Sequence, residues 1–446
     1  MKGVDALHRS LKFILLVLAV ALTLSGCGFV QPDELYQLPK YSPDYAFLQD
    51  AVDEEMDGLA YCAPISGPNR QPVQTADLTG DGIAEYLVFA RSKADMSLHV
   101  LIFQQNEGIC KKIAELESNG SAFSQVEYVE ADDHPGMELV LGRQVSDQVP
   151  GSVSVYSLHG EDILELMHTQ YNRFITCDLD QDSRSDLVVI ASSSLDSRSA
   201  SARLYRCGQD NFYLAGEAEL SFPVSAIQKI VWGSLQNFAP AVFIAGLVDE
   251  ETLQTDVLAW RSETFRNISA SGTSGNSVGT RRDQLIYAED VDEDGVLELP
   301  KLGNAKVVEN GITAKDQYLI CWYALNPQGD AINKMHTFHN FKNGWYLQLK
   351  GDWAQRVFVE IQDNVYTFSV WDEEEKTTEK ILSIHVFTGN DREKQAVAEN
   401  RFLLYHSEST VFSAKLDASS VSYGITQESL INSFHLIHPD LYMGET

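Results

Sequence analysis

Basic residues are scarce in this chain: 33 Lys and Arg stand against 64 Asp and Glu, giving a net charge of −31. That imbalance excludes nucleic acid and anionic lipid head groups as ligands, because both need a Lys/Arg surface to release counterions. It favours cations, which would offset part of the self-repulsion. Cysteine is scarce too, with 6 in 446 residues. Cys62, Cys110, Cys177, Cys207 and Cys321 are widely spaced and form no CxxC pair. They read as small buried hydrophobes, not as a zinc site or a dense disulfide framework, with a single bridge left open. No apolar run reaches the roughly 18 residues that span a bilayer as a helix.

One shorter run is informative. "FILLVLAVALTL" at 13–24 follows Lys2, Arg9 and Lys12, which is the order of an export signal. It leads into "LSGC", ending at Cys27. This resembles the lipobox of bacterial lipoproteins, and the resemblance implies that Cys27 is lipidated and becomes the mature N-terminus. The expected location is then outside the cytoplasm, tethered to the membrane through acyl chains. A plain signal peptide with a cysteine after its cleavage site is the alternative.

The remainder has the composition of a folded protein, at 44% apolar and 10% aromatic residues; disorder needs far fewer of both. A chain of this length exceeds one ordinary core, so either two domains or a repeat array is expected. Repeats are present. "TADLTGDGIAEYLVFA" (75–90), "TCDLDQDSRSDLVVIA" (176–191) and "AEDVDEDGVLELPK" (288–301) share acids at alternate positions followed by apolar residues. Weaker copies, "VEADDHPGMELVLG" (129–142) and "VWGSLQNFAPAVFIAG" (231–246), keep the strand and lose most of the acids. The loops begin near 77, 130, 178, 233 and 290, a period of roughly 50 residues that suits a propeller or similar array. Between them lie period-2 runs such as "LHVLIF" and "SVSVYSL", leaving room for four short antiparallel strands per unit.

The acidic loops read as oxygen cages. Positions 1, 3, 5 and 9 are Asp77, Thr79, Asp81 and Glu85; Asp178, Asp180, Asp182 and Asp186; Asp290, Asp292, Asp294 and Glu298. Position 7, occupied by Ile83, Arg184 and Val296, offers only its carbonyl. Ca²⁺ takes 6 to 8 oxygens at such mixed stations, and Gly82 or Gly295 at position 6 permits the tight turn. An EF-hand is excluded, because position 12 is Val88, Val189 or Lys301 and strands follow instead of helices. Ordinary solvated turns also use Asp and Gly, but three loops in phase favour the metal. A structural role is expected for it, since no His or Cys sits in the three strong loops.

This pattern resembles the FG-GAP/VCBS repeats, the calcium-bearing blades of integrin-α-like propellers. With "ELYQLPK" and "NRQPVQTADLTGDG" after the lipobox, it is similar to a group of bacterial lipoproteins over roughly residues 27–310. The expected fold is mainly β: a propeller of five or more four-stranded blades, then a smaller α+β domain. The expected segments are a signal peptide at 1–26, a tether and short helix at 27–59, the propeller at 60–312 and the C-terminal domain at 313–446. In the last, strands are expected near 318–325, 333–341, 355–371, 380–387, 401–405 and 410–415, and a helix over 426–437 behind a Thr426 cap.

Other motifs carry little chemistry. The G-x-S-x-G at Gly275–Gly279 lies in a polar stretch, whereas a nucleophile elbow needs a strand, a sharp turn and a helix. His336 and His339 fall on opposite faces of a strand. "WDEEEKTTEK" (371–380) reads as a solvated hairpin or loop. No triad, zinc motif or phosphate loop stands in a suitable context. The expectation is a non-enzymatic, calcium-stabilised binding or scaffold lipoprotein whose partner is an envelope protein or glycan. An extracytoplasmic hydrolase or lyase with its site on the propeller face is the alternative.

Overall fold

A computed structural model describes residues 43–106, 109–146, 149–192, 200–209, 211–270, 278–303, 307–314, 317–372 and 376–437. Cys27, the signal segment 1–26, the tether that follows it and positions 275–277 of the G-x-S-x-G motif lie outside the described residues. Among the described residues no helix is long and apolar enough to cross a membrane. Two compact units are distinguished. The helix Pro43–Glu55 and the segment Phe103–Lys112 belong to the smaller, in which Lys112 Nζ meets Glu55 at 2.5 Å. Gly58–Ile102 and the residues from Ile113 onward form the larger.

The larger unit is mainly antiparallel β-sheet. Within this unit sheet A takes Val73–Ala76, Glu85–Ser92, residues 98–102 and residues 113–118 in chain order, and Leu59–Tyr61 continues the edge of Glu85–Ser92 beyond Val73–Ala76. Sheet B takes Ala122–Val129, Glu138–Gln144, Gly151–His159 and Asp162–Tyr171. Sheet C takes Arg173–Cys177, Asp186–Ser192, Ala200–Cys207 and Phe212–Glu219, and sheet D takes Ile227–Ser234, Pro240–Leu247, Leu253–Arg261 and Thr264–Asn267. Each therefore occupies one sequence repeat.

The second strand of each sheet explains the apolar runs after the acidic loops. Glu138–Gln144, Asp186–Ser192 and Pro240–Leu247 are buried almost end to end, because they are covered on both faces. Leu139 and Leu141 join a core with Leu87 and Phe89 of sheet A, while Val140 joins Val189 of sheet C. Val188 and Ile190 turn the other way, onto Val242 and Ile244 of sheet D. Phe243 in turn meets Leu299 and Tyr323 of the next sheet. Each such side chain contributes about 1.5–3 kcal/mol by burial, and the cores run continuously from sheet to sheet.

Sheet E, Leu299–Leu302, Gln317–Leu325, Ala331–Asn340, Trp345–Leu349 and Phe434–Leu436, crosses the expected boundary at 312/313, because Leu299–Leu302 pairs with Gln317–Leu325. Sheet F is seven-stranded, in the order Ile312–Thr313, Val307–Glu309, Val357–Gln362, Val365–Asp372, Thr377–Thr388, Thr410–Leu416, Phe402–His406, with Val307–Glu309 parallel to Val357–Gln362. Its "WDEEEKTTEK" segment pairs Trp371 with Thr378, as a hairpin would. Sheets E and F share an aromatic core: Trp345 lies 5.0 Å from Tyr366 and 5.3 Å from Phe434, and Phe338 lies 5.2 Å from Phe368.

The helix expected over 426–437 is corrected. Thr426 does cap a helix, with a capping box to Ser429, but that helix spans only Gln427–Ile431. Phe434–Leu436 is a strand instead, pairing with Trp345–Leu349. A sheet edge with open backbone groups outcompetes another turn of helix there.

His339 is fully buried, stacked on Tyr346 at 4.9 Å, and neither ring nitrogen has a hydrogen-bond partner among the described residues. Burial pushes its pKa down to about 3. The folded state then binds its proton more weakly than the unfolded state, so this residue's contribution is present above about pH 6.5 and is lost as pH falls toward 3. His339→Phe should remove that part of the acid dependence. Urea melts of both proteins between pH 7 and pH 4 check this, and parallel losses of stability would contradict it.

Candidate functional site

The nine-residue acidic loop lies between the first two strands of sheets A and C and just before the first strand of sheet E, where Glu289 bridges Glu298, and its own side chains close it. The position-1 carboxylate accepts amides from across the turn: Asp77 from Gly80 and Gly82 at 2.7 and 2.9 Å, Asp178 from Asp182 and Ser183 at 3.2 and 2.9 Å, and Asp290 from Asp294 and Gly295 at 3.0 and 2.9 Å. The position-5 carboxylate accepts the amide of position 7, where Ile83, Arg184 and Val296 donate at 2.8, 2.9 and 3.0 Å. These bonds fold each loop back on itself, as Asx turns do.

Position 9 has a different task. Glu85 accepts the amide of Leu78 at 2.8 Å, Asp186 that of Leu179 at 3.0 Å and Glu298 that of Val291 at 3.0 Å. The weaker second loop keeps the same bond, Glu138 to Ala131, at 2.7 Å. All four acids are buried, at 0–3% exposure. Successive loops are also joined to one another: Met137 N donates to Asp77 O at 2.8 Å and Ser185 N to Glu130 O at 2.7 Å. The approach at the first junction is so close that a Cβ on Gly80 or Gly136 would meet the facing backbone at 2.3 Å, and both residues have positive φ, a combination only glycine meets.

Two of the three expected cages bring three carboxylates together, Asp178 with Asp180 and Asp186, and Asp290 with Asp292 and Asp294, each set within 4.8 Å. Asp182 and Glu298 complete the two loops. The loop of Asp77, Thr79, Asp81 and Glu85 is not among these sets; its Thr79 hydroxyl instead donates to Glu85 at 3.0 Å. A third set within 4.8 Å is Asp132, His134 and His159, in the second loop and at the end of a neighbouring strand. Spacing could have flagged His134, which falls at position 5, but His159 is brought in by pairing alone.

Cationic side chains face both carboxylate cages. Arg206 meets Asp180 and lies 3.3 Å from Asp182 and Asp186. Lys334 meets Asp294 and lies 3.8 Å from Asp292. Acceptors remain nevertheless: Asp180 Oδ1, Asp292 Oδ1 and Glu298 Oε1 are buried without a hydrogen-bond partner among the described residues. Burial raises the pKa of Asp186 to about 7 and that of Glu298 to about 8, the latter helped by Asp292 and Asp294. Orphaned carboxylate oxygens among like charges are what a hard divalent cation satisfies, so these residues fit one, and Ca²⁺ is compatible with the donors.

A cavity of about 680 Å³ opens elsewhere, bordered by the first strands of sheets B, C and D at Glu127, Phe174 and Ile230, and by Tyr171. Glu127 accepts from Gln125 and from the Thr176 hydroxyl. Val278–Thr280, the end of the G-x-S-x-G motif, is a single 3₁₀ turn and supplies no elbow.

No protein-family profile matches the chain, and no curated protein matches it. Among solved structures it matches the exotype rhamnogalacturonan lyase YesX, with 11% identity over 73% of this chain and 69% of that one, at a TM-score of 0.32. It also matches the rhamnogalacturonan lyase YesW, with 10% identity over 68% and 73%, at 0.31. Both neighbours are enzymes by name, and the expectation that this chain is without enzymatic activity is not retained. Likeness of this degree transfers neither substrate nor reaction.

Because Asp186 and Glu298 hold protons near neutrality, a cation entering either loop must displace them. Divalent-cation affinity should therefore fall as pH is lowered from about 8 to about 6. Calorimetry across that range, in buffers of different ionisation enthalpy, checks both the affinity and the proton release; a flat profile would contradict the coupling.

Proposed function

We propose that this chain is an extracytoplasmic lipoprotein, anchored through Cys27, whose successive sheets are the blades of a calcium-stabilised propeller that binds an envelope protein or glycan. The observation that carries this reading is the convergence of three carboxylates in the loop before Asp186–Ser192 of sheet C and again in the loop before Leu299–Leu302 of sheet E, with buried oxygens left to satisfy among the described residues. The FG-GAP/VCBS resemblance supplies the blades and the ion. Net charge supports a calcium-bridged contact over direct attraction to an anionic surface. The Asp77 loop is the third, weaker calcium site, with Thr79 as its neutral donor.

Calcium should bind with dissociation constants of about 10⁻⁴ to 10⁻³ M, as in extracellular modules. At a hundredfold excess it should stabilise the fold by about 2.7 kcal/mol. Asp180→Ala should lower the stoichiometry by one, while changes at Glu130 or Asn237 should leave it unaltered. Melting with and without chelator, together with calorimetry of these variants, tests the reading; no shift in melting temperature would overturn it. Loss of acyl labelling in Cys27→Ala tests the anchor separately.

The second reading, an extracytoplasmic hydrolase or lyase, is favoured by the concave polar cavity at Glu127 and Tyr171. Cleavage of an envelope polymer that disappears in Glu127→Gln would establish it.

A further inference from the structure

The second loop of the series is the one in which the acids thin out, and histidines stand in their place. It runs from Glu130 to Glu138, between strands Ala122–Val129 and Glu138–Gln144. In the shared register Asp132 holds position 3 and His134 position 5. Its position-9 acid is already engaged: Glu138 accepts the amides of Ala131 and Asp132 at 2.7 and 3.3 Å and the Ser157 hydroxyl at 3.2 Å. The donors left to face one another are therefore Asp132, His134 and, from the end of strand Gly151–His159, His159.

We infer that Asp132, His134 and His159 form a binding site for a transition-metal dication of the Zn²⁺ class, distinct from the oxygen cages. The candidate ligand atoms of the three lie within 4.8 Å of one another. The two imidazole rings are in contact, with centroids 4.2 Å apart, and His134 Nδ1 lies 3.4 Å from Asp132 Oδ2. Donors on a tetrahedral ion at about 2.0–2.1 Å are roughly 3.4 Å apart, so rotation of two exposed imidazoles closes the set without moving the backbone. The carboxylate is preorganised: the Asp132 side chain is 4% exposed, and its Oδ1 accepts the His134 amide at 2.7 Å. A hydrogen-bonded ligand of this kind is what orients a metal site.

Donor type separates this site from its neighbours. Two imidazoles and one carboxylate suit Zn²⁺, Co²⁺ or Ni²⁺, whereas Ca²⁺ takes six to eight oxygens. The adjacent Asp133 is paired with Arg184 from the third loop, which keeps it outside the donor set. Three protein donors leave one position for water or an exogenous ligand.

The test uses the full chain without a polyhistidine tag, in excess Ca²⁺ so that the oxygen cages are saturated. Co²⁺ titration followed by visible absorption should show a single equivalent bound with the intense bands of low coordination number, displaced by Zn²⁺. His134→Ala and His159→Ala should each weaken binding by about tenfold or more, and Asp132→Asn should also weaken it. His168→Ala should leave it unchanged. Because both imidazoles are exposed, the histidine variants should melt with the parent protein. Absence of Co²⁺ binding in excess Ca²⁺ would overturn the assignment, as would binding that survives the double histidine variant or is lost in His168→Ala.

Discussion

The buried carboxylate at the ninth position of four of the five loops is the constraint on which the architecture depends. A nine-residue turn leaves many amides to satisfy, and an acid held at the base of the turn satisfies the one beside its start. Glu85, Glu138, Asp186 and Glu298 do this in the same way. Burying an ionised carboxylate costs several kcal/mol unless hydrogen bonds or a cation offset it. Burial raises the pKa of Glu138 to about 7 despite its Ser157 hydroxyl, as it does that of Asp186, and the Asp186 and Glu298 loops carry further acids. Arg206 and Lys334 offset part of that charge, and the same geometry that closes the turn gathers carboxylates that could hold a cation.

Loop closure also sets the spacing between sheets. With each turn folded back on itself, its first carbonyl is presented to the next loop, and the Met137 and Ser185 amides take up that offer. Adjacent sheets are thus joined by backbone at one end and by apolar side chains along their length. Two-sided burial of strands such as Asp186–Ser192 makes each sheet part of two cores. Sheets E and F depart from this plan, because seven strands give a broad face that rings such as Trp345 and Phe368 fill.

The turn itself is constant, while the side chains at positions 3 and 5 vary in chemistry. Asp180 and Asp182, or Asp292 and Asp294, build oxygen-rich surroundings, and Thr79 dilutes them. Asp132 and His134 put nitrogen in the same place. One backbone scaffold thereby presents different donor sets without repacking a strand, since these side chains lie outside the apolar cores.

The repeat period, the strands and the acidic loops were legible in the sequence because they are local: alternation of side chains determines the faces of a strand, and Asp and Gly at fixed offsets determine a turn. The apolar second strands and the Thr426 cap belong to the same category. What the sequence could not assign were partners brought from elsewhere in the chain. Phe434 and Leu436 have helical spacing from Leu430, yet the open edge at Trp345–Leu349 draws them into a strand. Arg206 and Lys334 reach the cages from strands well downstream, and His159 meets His134 only because Gly151–His159 pairs beside Glu138–Gln144. Sheet E crosses the expected domain boundary for a similar reason, since backbone pairing between Leu299–Leu302 and Gln317–Leu325 is indifferent to the change in side-chain pattern between them. Local sequence determined which turns could gather acids; long-range pairing decided which side chains face them, because register between strands depends on the whole buried surface and not on any one segment.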